Sequence, residues 1–156
     1  MRILDLTAGR RAVWFDKSYR DTTFIDIRPE VKPDYVADSG CLPDEIGTGF
    51  DLVVFDPPHA NYGANGHMSK RYGHFTLSEI RRTITASAKE AHRVSRGDAL
   101  MALKWNDHDI KLSAVIGLLS DYWEPLFGHG VNESHRRHHM TSWVMLRRRR
   151  ATMTGD

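Results

Sequence analysis

The chain has 156 residues, 40% of them hydrophobic and 27% charged, with a formal net charge of +2. That length suits one domain, residues 1–150, with a frayed tail at 151–156. No apolar run approaches ~20 residues, which excludes a membrane-spanning helix, and the lone Cys41 excludes an internal disulfide and suits a reducing cytoplasm.

Residues 1–7, MRILDLT, read as a first strand, with Ile3, Leu4 and Leu6 apolar, so no leader peptide is expected. Ala8-Gly9 follows, and residues 10–17 read as a short helix. Residues 22–27, TTFIDI, form a second strand and residues 35–37 a short third. Residues 52–55, LVVF, are a continuous apolar run of the kind found in buried parallel strands. Each of these four strands ends at or beside an acid: Asp5, Asp26, Asp38 and Asp56.

A long polar segment, residues 59–74, comes next. Thr76 and Glu79 have the spacing of a capping box, and Leu77, Ile80, Ile84, Ala88 and Ala91 recur at helical intervals up to about Val94. Residues 99–105, ALMALKW, are a fifth strand. Asn106-Asp107 can cap a second long helix over 108–122. Residues 123–127 and 141–146 are the last two strands, flanking a His- and Arg-rich connection. Strands alternating with helices predict an α/β fold with a mostly parallel sheet. The last two strands, with no helix between them, predict an antiparallel hairpin at one edge.

The chemistry concentrates at Asp56-Pro57-Pro58-His59. Two prolines after an acid stop the strand and stiffen the turn, because each fixes φ and removes an N–H. A carboxylate and a rigid carbonyl, both acceptors, can hold the two N–H groups of a planar amine. Gripping the amine weakens its conjugation with an aromatic ring and frees the lone pair to attack.

This motif resembles motif IV, (D/N/S)-P-P-(Y/F/W/H), of the S-adenosylmethionine-dependent amino-methyltransferases of nucleic acids. Residues 3–9, ILDLTAG, resemble motif I of the Rossmann-like methyltransferases. The resemblance runs from Met1 to Arg150. It implies a Rossmann-like methyltransferase fold: a mostly parallel seven-stranded sheet with an antiparallel edge hairpin and helices on both faces. It implies S-adenosylmethionine as cofactor. Asp5 would face the methionine amino end, Gly9 would lie against the cofactor, Asp26 would accept the ribose hydroxyls and Asp38 would touch the adenine amine. Thr7, Ala8, Ile27 and Ser39 would line the same site, with Cys41 or Leu42 against the adenine ring. The sequence departs from the family in having only one glycine in the turn, where Arg10 and Arg11 follow. GxGxxG is missing, which argues against a nicotinamide cofactor.

By the same resemblance Asp56, Pro57, Pro58 and His59 are the catalytic set, with His59 stacking on a base that is flipped out or single-stranded. A half-exposed turn histidine is the plainer alternative. Tyr62 and Tyr72 are further stacking candidates, and Lys70, Arg71, Arg136 and Arg137 are candidate phosphate contacts. Lys104 and Trp105 can line the site, and Trp105 fits a core position equally well. Charge supports a polyanionic substrate: residues 1–58 carry 11 acids and 7 Lys/Arg, and residues 59–156 carry 9 and 15. Residues 147–150, all arginine, also read as protection of a sheet edge. The histidines at 129, 135, 138 and 139 fit no closed zinc pattern, so no metal is expected. No Pro-Cys nucleophile is present, which argues against methylation at cytosine C5.

The expected activity is therefore methylation of an exocyclic base amine, adenine N6 in DNA first and cytosine N4 second. An RNA methyltransferase of the same chemistry is the alternative. A non-catalytic subunit of a heterodimer is another, and a protein or small-molecule methyltransferase a further one. No target-recognition domain is visible, so readout is expected from loops, a second copy or a partner chain.

Overall fold

The structure, a computed structural model, describes residues 1–60, 75–132 and 140–150. Seven strands lie in them: β1 (Ile3–Asp5), β2 (Thr22–Asp26), β3 (Tyr35–Val36), β4 (Phe50–Phe55), β5 (Ser95–Asn106), β6 (Trp123–Asn132) and β7 (Met140–Arg148). They form one sheet in the order β3-β2-β1-β4-β5-β7-β6. The first five strands pair in parallel, and β7 runs antiparallel between β5 and β6. The expected α/β class, the parallel sheet and the antiparallel edge are all present.

Helix α1 (Leu77–Val94) forms where the sequence places it. Thr76 Oγ1 accepts the N–H of Glu79, and the Glu79 carboxylate accepts the N–H of Thr76. These bonds satisfy two of the orphan donors of the first turn. Ile80, Ile84, Ala88, Ala91 and Val94 form its buried stripe. Helix α2 (Leu112–Leu119) is shorter than the expected 108–122. Its N-cap is Lys111, with no side-chain cap, while Asp107 instead accepts the N–H of Met140 at 2.9 Å. The residues preceding α2 are thus tied to β7 and not to a helix start.

Both helices cover the same face of the sheet. They bury Leu4, Ile25, Val53, Phe55, Met101, Leu103 and Trp105 in one cluster. Two buried indoles close it: Trp105 donates to the Ile110 carbonyl at 2.8 Å and Trp123 to the Ala88 carbonyl at 3.0 Å. Trp105 is therefore a core residue.

Among the described residues the opposite face carries no α-helix. The helix expected over 10–17 is not formed, and the segment runs as a series of turns. Gly9 and Arg11 take left-handed φ values of 52° and 56°, which a right-handed helix does not admit. The Arg11 guanidinium donates to the carbonyls of Lys17 and Lys32 and lies 3.9 Å from the Phe24 ring centroid. With Trp14, edge-on to Phe24, this segment covers β1 and β2. Over β5, β7 and β6 no helix of the described residues covers that face.

β6 and β7 also run further than the sequence pattern indicated, to Asn132 and from Met140. Gly128 looked like the start of the connection. It lies inside β6, where an added Cβ would sit 3.0 Å from the Trp143 carbonyl.

Candidate active site

The carboxyl ends of β1, β2 and β4 are neighbours, because β1 lies between the other two. Open parallel sheets bind ligands at that edge. Here it opens into a cleft of about 460 Å³, within the range of small-ligand sites.

Asp5, the last residue of β1, is buried at the cleft floor. Its carboxylate accepts the Thr7 N–H at 3.2 Å and the Trp14 indole N–H at 2.7 Å. Burial drives its pKa up to about 7; the two donors oppose this, and the Asp56 and Asp26 carboxylates add to it. The group thus stands between its two forms near neutral pH.

Asp26, ending β2, is buried as well. One oxygen accepts from the backbone N–H and Nε of Arg28, both at 2.9 Å. The other accepts from the Gly9 N–H at 2.8 Å and the Arg28 terminal nitrogen at 3.0 Å. Burial works against ionisation, but these donors outweigh it and hold the carboxyl below its ordinary value. A carboxylate offers about four lone-pair sites, and all four are engaged. Gly9 suits this turn: its φ is left-handed, and an added Cβ would lie 3.3 Å from the Arg28 guanidinium.

Asp38 is exposed at the lip and accepts the Gly40 N–H at 2.8 Å. The Ser39 hydroxyl is turned away into a buried bond with Ser87 of α1, at 2.7 Å. Cys41 is exposed, and Leu42 belongs to the core.

Asp56 follows β4. Its N–H donates to the Thr7 hydroxyl at 2.9 Å, joining the turn after β1 to the Asp-Pro-Pro turn. Its carboxylate pairs with the Lys104 ammonium of β5 at 3.0 Å. Pro57 is buried and Pro58 half-buried. The His59 ring lies edge-on to Trp105, with centroids 6.1 Å apart. All four residues of the motif line the cleft that also holds Asp5, Gly9 and Asp26.

No protein-family model matches the chain, and no curated protein matches it. Solved structures do match its fold. The N-methyltransferase NodS from Bradyrhizobium japonicum WM9, in complex with S-adenosyl-L-homocysteine, aligns with a TM-score of 0.63 at 10% identity, over 94% of this chain and 77% of NodS. An rRNA methylase from Streptococcus thermophilus aligns at 0.55 and 10%, over 94% and 86%. TrmN from Thermus thermophilus aligns at 0.56 and 14%, over 95% of this chain and 44% of TrmN. The chain has the Rossmann-like methyltransferase fold.

That fold brings Asp5, Thr7, Ala8, Gly9, Asp26, Ile27, Asp38, Ser39, Asp56, Pro57, Pro58, His59 and Lys104 to one cleft. Tyr62, Lys70, Arg71, Tyr72, Arg136 and Arg137 lie outside the described residues, as does the tail. Two residues important to the cleft carry no sequence signal of their own. Arg28, two residues past Asp26, occupies the carboxylate, and Trp14 reaches Asp5 only because the segment after Gly9 is not helical. Among the described residues no helix is long and apolar enough to cross a membrane, and no three His, Cys, Asp or Glu side chains gather for a metal.

Proposed function

We propose that this chain is an S-adenosylmethionine-dependent methyltransferase that modifies an exocyclic amine of a nucleic-acid base, adenine N6 in DNA first. The observation that carries the reading is the hydrogen bond from the Asp56 N–H to the Thr7 hydroxyl. It fixes Asp-Pro-Pro-His against the glycine turn inside one cleft, so an amine acceptor set and a cofactor site share the space. The NodS N-methyltransferase and the rRNA methylase among the matching folds support the reaction class.

The cleft's groups fit the cofactor. Asp5 suits an ammonium, the Gly9 backbone allows close approach, and Asp26 suits ribose hydroxyls once Arg28 turns aside. Asp38 at the lip suits the adenine amine. When bound, S-adenosylmethionine supplies an electrophilic methyl group on sulfur. Asp56 and the Pro57 carbonyl accept the two amine N–H groups and aim the lone pair. The Asp56 carboxylate faces the positive charge that builds on nitrogen, and the proton leaves to water. His59 stacks on the base. Rate comes from orientation and fixed charge, without a covalent enzyme intermediate.

One observation favours a second reading, a non-catalytic subunit: both key carboxylates, Asp26 and Asp56, are already paired with cations of the same chain. Tritium transfer from labelled S-adenosylmethionine to duplex DNA, single-stranded DNA and total RNA separates these readings. Label in a DNA sample, lost in Asp56→Ala, is the expected result. Label only in RNA moves the substrate to the RNA alternative. No label, with cofactor binding intact by calorimetry, selects the subunit. No cofactor binding removes the proposal.

A further inference from the structure

The face of the sheet opposite the described helices continues directly from the cleft. Phe55 pairs with Leu103, so Asp56 falls in step with Lys104. Lys104 in turn pairs with Trp143, and Trp143 with His129. Residues directly opposite across strands share a face. Asp56, Lys104, Trp143 and His129 therefore form one row across β4, β5, β7 and β6, roughly 14 Å long at ~4.8 Å per strand. The row beneath it is Val54, Ala102, Met145 and Phe127.

Two large aromatics in these rows are open to solvent. Phe127 is 70% exposed and Trp143 39%, and His129 is exposed beside them. Exposed aromatics grouped on one face mark a binding surface. The surrounding charge indicates the occupant. Lys104 and Arg147 stand on the open face, Arg147 paired with Glu124, and Arg149 and Arg150 follow exposed at its end. Arg148 turns to His92 of α1, and Arg96 pairs with Asp51 and Asp98.

We infer that this face is a stacking platform for a single nucleic-acid strand, taking the nucleotides that flank the base held at Asp56. One flanking base stacks on Trp143 and the next on Phe127 or His129, while Lys104 and the arginines at the end of β7 meet phosphates. Unpaired bases offer π-faces to such rings whatever their identity, and the basic surround suits the backbone. The inference rests on the nucleic-acid reading of the cleft and adds to it a path and a strandedness.

The test uses the full chain and fluorescently labelled 12-nucleotide single strands of DNA and RNA, read by anisotropy. The variants are Trp143→Ala, Phe127→Ala, Trp143→Phe and the alanine double. Both side chains are exposed, and cofactor binding by calorimetry checks that each variant is folded. Each alanine is expected to weaken strand binding by about tenfold or more, and Trp143→Phe to keep most of it. A duplex of the same sequence is expected to respond less. Wild-type binding that the alanine double leaves unchanged overturns the platform and spares the nucleic-acid reading. Failure of the wild type to bind any strand overturns both. Variants that dissociate a dimer in sedimentation while still binding the strand would make this face a protein interface and overturn the inference.

Discussion

The Lys104 ammonium lies 3.0 Å from the Asp56 carboxylate, on the strand next to it. A substrate amine held by Asp56 must share or displace that partner. Lysine, a compact charge on a flexible stem, can swing from the carboxylate to a neighbouring phosphate. Lys104→Met keeps the stem and removes the charge. Its expected effect is a rise of about tenfold in KM for the polymer, little change in kcat, and a salt dependence shallower by about one phosphate contact. Asp56→Asn should instead lower kcat by about a hundredfold or more, because the charge facing the developing cation is lost. Steady-state kinetics at several salt concentrations check both, and an unchanged salt slope in Lys104→Met would exclude a phosphate role.

Thr7→Val tests the link between the two turns. The substitution keeps the shape but removes the acceptor of the Asp56 N–H, a part-buried bond. An unsatisfied donor of this kind costs about 1–3 kcal/mol. For a chain of this size that is a fall in Tm of roughly 2–10 °C. Thr7→Ser retains the hydroxyl and should stay close to the wild type. Because the bond sets where Asp56 stands, Thr7→Val should also lose kcat beyond its loss of stability, measured well below its Tm. A variant that loses stability but keeps full kcat would show the link to be structural only.

Much of the fold is legible in the residues. The acids after apolar runs mark the strand ends that line the cleft, and Thr76 with Glu79 marks the start of α1 within a residue. The short helix expected after Gly9 does not form: its composition allows a helix, but the left-handed φ at Gly9 and Arg11 does not. Gly128 and Gly130 look like loop residues, yet both lie inside β6, and at Gly128 the Trp143 carbonyl of β7 leaves tight room for a Cβ. The partners of Asp5 and Asp26 were hidden for a similar reason: Trp14 and Arg28 act across turns whose shape no local pattern specifies. The row from Asp56 to His129 depends on the register of four strands, which only the paired sheet defines.

Arg28 is expected to restrain cofactor binding. It supplies three of the four donors to Asp26, and that carboxylate has no further lone pair for ribose hydroxyls. Backbone N–H donors from Arg28 and Gly9 stay in any variant, so removing the guanidinium frees two sites. Arg28→Ala should therefore tighten S-adenosylmethionine binding several-fold in calorimetry, with weaker salt dependence than the wild type. Arg28→Lys, which still reaches Asp26 with a single cation, should fall between. Weaker binding in Arg28→Ala would mean that the guanidinium contacts the cofactor itself.

Asp5 makes both stability and cofactor affinity depend on pH. Its folded pKa is about 7, raised by burial, against ~3.9 for an unfolded aspartate. Between about pH 4 and 7 the folded chain therefore holds a proton that the unfolded chain has lost. Stability from this group is greatest at the acid end of that window, falls as pH rises through it, and levels off above 7, with a limiting slope of ~1.4 kcal/mol per pH unit. His92 runs the other way: burial lowers its pKa, so acid below about 6.5 destabilises the folded chain. Asp26 and Glu90, both held below their ordinary values, add to stability above about pH 4. Subtracting the urea-unfolding curve of Asp5→Asn from that of the wild type at pH 5, 6, 7 and 8 removes these other groups and isolates Asp5. The difference should fall steadily to about pH 7 and then flatten. A cationic ligand favours the ionised carboxylate, so the affinity for S-adenosylmethionine should weaken below pH 7 in the wild type, by up to about tenfold per unit, and lose that dependence in Asp5→Asn. Parallel curves for the two proteins would remove Asp5 as the source.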